Sequence, residues 1–303
     1  MSKTFKLAAV AALCAAAAVA HADVKFDANF EGDTTNVSKT GADSFGTGGR
    51  VEMNVNAALL KQGDNFVNAK ATFLARIGND INKDSTGIDD AWIQFGNADA
   101  DFKLGRFEAV DLFPVGKDTV LEMATGAGYR ANKVRGRFTD GEFHGALGLN
   151  AAPGLRFELG VMSKKSGATE KSGVRPAVVY GAGDLTLRAG YESFDLDGLG
   201  NKTGYALSAG YALAKDAAVN VNYAKSSDLD SSSLGMNLVY GAAGVGYVQD
   251  KTAATTVDTF YAAYSFPLLG VKGASITPAI STSSGGTGVA DTTALRVRLN
   301  YQF

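Results

Sequence analysis

Four carboxylates, Glu108, Asp111, Asp118 and Glu122, fall inside the stretch LGRFEAVDLFPVGKDTVLEMATG that runs from Leu104 to Gly126. The same stretch carries Phe107, Val110, Leu112, Phe113 and Val115, too apolar for a solvated loop, while its acids are too polar for a hydrocarbon-facing segment. Beyond it Lys133, Arg135 and Arg137 take alternate positions, opposite Val134 and Phe138. Opposed rows of acids and bases keep each other charged, because each lowers the cost of ionising its neighbour. Such rows act through their field on whatever lies between them. Groups for bond-making chemistry are scarce. His21 lies in the apolar N-terminal segment, which leaves His144, flanked by Phe143 and Gly145 and with Ala146 where a serine partner would stand. One cysteine, Cys14, and two histidines cannot supply a Cys/His metal site. The glycines punctuate strand-like runs and form no phosphate loop. The inventory points to no catalytic residue, no metal and no cofactor.

The N-terminus reads as an export signal. Lys3 and Lys6 precede an apolar run from Leu7 to Ala20, and Ala20-His21-Ala22 fits a small-x-small cleavage site before Asp23. Residues 1–22 are therefore expected to be removed, Cys14 with them, leaving 23–303 as a single domain without disulfides. The 29 Lys and Arg, less Lys3 and Lys6, leave 27 bases against 31 acids, which argues against nucleic acid as a partner. No later apolar run is long enough for a membrane-spanning helix.

What must position the charged rows is a set of strands, because period two recurs along the chain. Leu295, Val297, Leu299, Tyr301 and Phe303 alternate with Arg296, Arg298, Asn300 and Gln302. Tyr205 to Leu213, Val51 to Leu59 and Val24 to Phe30 behave alike, with one face apolar and the other polar or tiny. About seventeen segments of roughly 8–12 residues fit this pattern, the length a tilted strand needs to cross a bilayer. Tight connections near Lys61–Asp64, Asn97–Ala100, Gly181–Asp184 and Ala214–Asp216 contrast with long polar ones at Glu31–Gly46, Gly78–Gly87, Phe194–Thr203 and Thr282–Asp291. Short turns on one rim and long loops on the other describe a transmembrane antiparallel β-barrel. Tyr191, Tyr205, Tyr211, Tyr223, Tyr240 and Tyr301 fall on outward faces, as an interfacial girdle would. Tight turns at both Thr139–Glu142 and Ala151–Gly154 break the alternation, so sixteen strands is the reading, with fourteen and eighteen open. A barrel of that width holds water or a plug, and no plug domain is visible.

On this reading the stretch near 105–126 folds into the lumen and carries Glu108, Asp111, Asp118 and Glu122 to one side of it. Arg76, Lys133, Arg135 and Arg137 face them from strands, since an Arg or Lys facing lipid at mid-bilayer costs about 2–4 kcal/mol. Trp92 shares its face with Asp90 and Gln94, which makes it a lumenal platform for a sugar ring or, in another register, an interfacial tryptophan.

Leu104-Gly105-Arg106 ending a strand, Phe113-Pro114-x-Gly116-x-Asp118 in the loop, Gly128-Tyr129-Arg130 opening the next strand and terminal Phe303 together resemble the general diffusion porins of Gram-negative outer membranes. The region Phe107–Asp118 is also similar to sugar-type porins. The resemblance implies a homotrimer in the outer membrane, in contact with lipid and lipopolysaccharide, conducting ions and small hydrophilic solutes through a channel narrowed by its third loop. It adds Arg106 and Arg130 to the basic side. It also implies that Leu299, Tyr301 and Phe303 form the signal read by the barrel-assembly machinery. Val115, where the family often has an acid, and the added Lys117 depart from its pattern and put its cation preference in doubt. A carbohydrate-preferring porin is the alternative; a barrel adhesin or anchor and a barrel enzyme stand further off.

Overall fold

The structure is a computed structural model that describes residues 23–78, 85–117, 124, 128–136, 143–166, 169–196, 200–253, 255–285 and 289–303. Alternating sequence has become alternating exposure. Leu295, Val297, Leu299 and Tyr301 stand on the outer surface, while Ala294 between them is wholly buried. Exposed apolar side chains of this kind cover the outside of one continuous sheet, as expected of a surface that meets lipid rather than water.

The strands are β1 (Asp23–Lys39), β2 (Ala42–Gln62), β3 (Asn65–Gly78), β4 (Ser85–Gly96) and β5 (Ala100–Arg106). After a long connection come β6 (Phe143–Ala152), β7 (Leu155–Ser166), β8 (Thr169–Ala182), β9 (Leu185–Asp195) and β10 (Lys202–Ala214). The remainder are β11 (Ala217–Ser226), β12 (Ser232–Tyr240), β13 (Ala243–Thr252), β14 (Thr255–Tyr264), β15 (Phe266–Pro267), β16 (Ala274–Gly285) and β17 (Thr292–Gln302). Both β14 and β15 pair with β16, so these two segments are one stave interrupted at Ser265. The barrel thus has sixteen antiparallel staves, each paired with its sequence neighbour. The β1–β17 ladder closes it, and Ala28 and Phe303 exchange both backbone hydrogen bonds at its end. Closure leaves no open edge, a requirement where no water can satisfy free amides and carbonyls.

Two sequence expectations are overturned here. Residues 31–46 are no long loop: β1 and β2 run in register from Asp23↔Ala58 to Lys39↔Ala42, and the chain reverses at Thr40 and Gly41. The glycines that suggest a loop there serve close strand approach, since a Cβ on Gly49 would lie 2.7 Å from the Glu31 carbonyl oxygen. The second correction concerns Tyr129–Gly136, which is not a strand. Lys133 and Arg135 therefore sit on the returning limb of the long connection rather than on the barrel wall, and that connection runs from 107 to 142. Removing this false strand also restores the alternation of rims. Connections 63–64, 97–99, 153–154, 183–184, 215–216, 241–242 and 268–273 share one rim with both strand termini, and the other connections share the opposite rim.

Candidate functional site

The connection between β5 and β6 is folded into the barrel and lies along half of its inner wall. Its two limbs join at the root, where the Ala109 amide donates to the Arg135 carbonyl at 2.7 Å and Glu108 pairs with Gly136. Gly136 has a φ of 109°, and a Cβ there would lie 2.0 Å from the Phe107 carbonyl oxygen, so only glycine fits this crossing. Phe107 stacks on His144 with ring centroids 4.2 Å apart. His144 is buried beneath the loop root rather than standing free on the wall.

A row of wall glycines receives the loop's apolar side chains. Leu112 lies against Gly190 of β9, Phe113 against Gly235 of β12, and the Lys117 stem against Gly244 of β13. On the return limb Tyr129 covers Gly204 of β10 and Val134 covers Gly173 of β8. A Cβ at any of these five glycines would approach the loop side chain to 2.9 Å or less. Ala177, Ala206 and Ala224 complete the bed, and the assembled cluster is the main buried apolar core of the chain. A water-filled barrel has no central core of its own, so this packing is what holds the loop down.

Polar clamps flank the apolar seam. Asn222 and Asn237 both donate to the Pro114 carbonyl, at 2.7 and 2.8 Å, and the Tyr261 hydroxyl donates to the Val115 carbonyl. Lys117 Nζ donates to the Ala242 carbonyl. Under the return limb, Glu192 accepts from the Tyr129 hydroxyl at 2.6 Å and from the amides of Lys133 and Val134. Arg175 donates to the carbonyls of Ala131 and Val110 while facing Glu192 and Glu158 at 3.7 and 3.8 Å. Burial, with the Glu192 charge beside it, holds the Tyr129 hydroxyl protonated far above its ordinary range. Burial lowers the pKa of Lys117.

Since the loop covers the wall from β7 to β14, the wall from β16 through β1 to β4 stays open. That wall is charged. Arg298 binds Asp33 through two nitrogens, at 2.8 and 2.9 Å, and reaches Glu31 at 3.3 Å. Arg50 contacts Glu31 at 2.8 Å and Glu52 at 3.8 Å, and Arg76 stands opposite Arg50 in the β2–β3 register. Further round, Lys70 pairs with Asp90 at 3.0 Å. Sequence reasoning passed over Arg50, Arg298, Glu31 and Asp33 as site residues. Their signal was parity, for Arg296 and Arg298 already alternate with the outward Leu295 and Val297.

The expected site residues separate into groups. Glu108 and Asp111 stand on the loop with side chains 38% and 42% exposed, and Arg135 of the same loop lies beside them at 3.4 and 3.9 Å. Arg135 is thus their neighbour, not a charge across the lumen from them. Arg130 pairs with Asp250 of β13 at 3.2 Å, as a loop clamp. Arg106 donates to the Asp89 carbonyl at the end of β5. Lys133 is half-buried on the return limb. Trp92 is half-buried on the lumen-facing side, with Lys103 Nζ 3.9 Å from its ring centroid. Leu299, Tyr301 and Phe303 are exposed at the closing strand. Asp118, Glu122 and Arg137 lie outside the described residues.

A closed sixteen-stave barrel with a connection packed inside it is the architecture of a channel. Residues 16–145 match a family model described as porin-like glycoporin RafY. The chain belongs to the porins. Solved structures share the whole architecture. A mutant of the Rhodopseudomonas blastica porin aligns with a TM-score of 0.62 and 16% identity over 93% of this chain and 100% of its own. A triple mutant of the same porin aligns at 0.63 and 16% over the same shares. No curated protein sequence matches. As a porin, the chain forms a water-filled outer-membrane channel for passive diffusion of ions and small hydrophilic solutes. Porin family and fold are those of a channel rather than of an enzyme.

Proposed function

We propose that the constriction of this porin is asymmetric: a loop clamped to the β7–β14 wall faces a ladder of paired charges on β17, β1, β2 and β3. The observation that carries this reading is the glycine bed, which seats the loop on one half of the wall and leaves the other half's charges bordering water. The loop side presents Glu108 and Asp111, tempered by Arg135, with Asp118 and Glu122 further along the same loop. The wall side presents Arg76 and Arg50, with Arg106 and Lys133 as further bases near the loop root. Water and small polar solutes align in the field between them, whereas a bulky apolar molecule must displace ordered water. Screening over about 8 Å at physiological salt confines this field to the narrow part of the lumen. Because Arg135 offsets the loop acids and Lys117 adds a cation, ion selectivity is mild.

Planar-bilayer reversal potentials in a salt gradient test the assignment. Arg76→Glu moves the reversal potential towards cation preference, and Arg135→Gln does the same by unmasking Glu108 and Asp111. If neither variant moves it, these charges do not border the conducting path. The porin works as a homotrimer exported with removal of residues 1–22, set in lipid and lipopolysaccharide, and inserted by the barrel-assembly machinery through Leu299, Tyr301 and Phe303. Trp92 contributes stacking if a sugar passes, and reversible block of the current by added oligosaccharide reports that.

A further inference from the structure

Between the loop tip and the open wall lies a cavity of about 270 Å³, lined by Lys117, Ser265, Ser275, Thr277, Arg296 and Arg298, with Ala279 and Asn300. Three of these are cations, and no carboxylate is among the described residues that line it. Asp33 and Glu31 hold Arg298 from the neighbouring strand β1, which fixes its guanidinium without placing an acid in the cavity lining. The hydroxyls are also oriented. Ser265 Oγ accepts from Thr277 at 2.9 Å and from Lys117 Nζ at 3.4 Å, so its own hydrogen remains to donate. Ser265 occupies this place because the stave breaks between β14 and β15, and such an irregularity re-aims a side chain. The space holds about nine waters at about 30 Å³ each, which suits a small hydrated anion and is too small for an oligosaccharide.

We infer that this cavity is a transient binding site for the oxyanion group of small solutes, a phosphate or a carboxylate. The inference rests on the channel reading only in that the site lies on the lumenal side. Planar guanidinium forks and directed hydroxyls match an anion with several oxygens better than they match a spherical halide. An ammonium at the roof and guanidinium groups on the wall strengthen one another's pull on the anion wherever bulk water is partly excluded. Retention is weak, since an anion held tightly would block passage.

Inorganic phosphate is the probe. With the porin in a planar bilayer and potassium chloride fixed, added phosphate is expected to lower the current in a saturable, reversible way. Lys117→Gln and Arg296→Gln, made separately, each raise the half-blocking concentration at least fivefold, whereas Lys215→Gln, in the turn between β10 and β11, leaves it within twofold. A current that shows no saturable block, or a block equally strong in both cavity variants, overturns the inference. If Lys117→Gln fails to assemble, Arg296→Gln alone decides, because its side chain makes none of the loop contacts described above. Phosphorus NMR line broadening on the detergent-folded porin gives the same comparison without conduction. Broadening lost in the cavity variants supports the site even if no current is seen, and unchanged or absent broadening overturns it.

Discussion

At the scale of single residues, Glu192 and Arg175 carry the most consequence. Both are fully buried, and burying an ion is costly unless it is paired and hydrogen-bonded. Here each is: Glu192 takes three donors from the loop, and Arg175 gives to two loop carbonyls while facing two carboxylates. The pair therefore converts a wall position into a latch for the return limb. Glu192→Gln leaves Arg175 short of its counter-charge and sets an amide NH₂ against backbone N–H groups. Breaking a buried pair in this way costs about 3–5 kcal/mol. Hydrogen exchange at the amides of residues 129–135 should accelerate in this variant while the strand amides stay protected. Equal protection of that limb would show that the latch carries no weight.

At the scale of elements, the loop is held by shape as much as by charge. The glycines under Leu112, Phe113, Lys117, Tyr129 and Val134 come from five different strands, each at a lumen-facing position. Valine is well suited to a strand, so Gly190→Val should leave the barrel intact while driving Leu112 from its seat. Overpacking of this kind costs about 1–3 kcal/mol, borne by the loop. Trypsin should then cut near Lys117 or Arg130, and single-channel conductance should change. Gly87→Val is the matched control, because open space surrounds a Cβ at Gly87. A Gly190 variant as resistant and as conductive as its control would mean the bed does not position the loop.

For the whole molecule, closure decides whether there is a channel at all. The ladder from Asn29↔Gln302 to Lys39↔Thr292 joins the two ends of the chain, and the Ala28–Phe303 pair adds its last two hydrogen bonds. Phe303 also stacks on Tyr301 with centroids 5.4 Å apart on the outer face. Deleting Phe303 removes both features at the seam. The amount of folded, heat-modifiable barrel recovered from membranes should fall, with any protein that does fold retaining normal conductance. Undiminished recovery would place the assembly signal elsewhere.

Period-two alternation determined, without any structure, that the chain is a barrel with an apolar exterior, because strand geometry sends successive side chains to opposite faces. The tight turns at 63–64, 97–99, 183–184 and 215–216 were equally legible, as was the outward placing of Tyr191, Tyr205, Tyr211, Tyr223, Tyr240 and Tyr301. Local pattern failed where partners are distant. Tyr129–Gly136 has the alternation of a strand, yet its apolar side chains bind wall glycines rather than lipid, and its alternate bases sit beside acids of its own loop. The glycine-rich run before Arg50 looks like a loop, yet it extends β2 because β1 needs a neighbour without side-chain bulk. Which half of the lumen the loop covers, and so which charges border the water, depends on contacts such as Pro114 to Asn237 and Arg130 to Asp250. Those pairs meet only once the sheet has closed on itself, and no periodicity along the chain records that meeting.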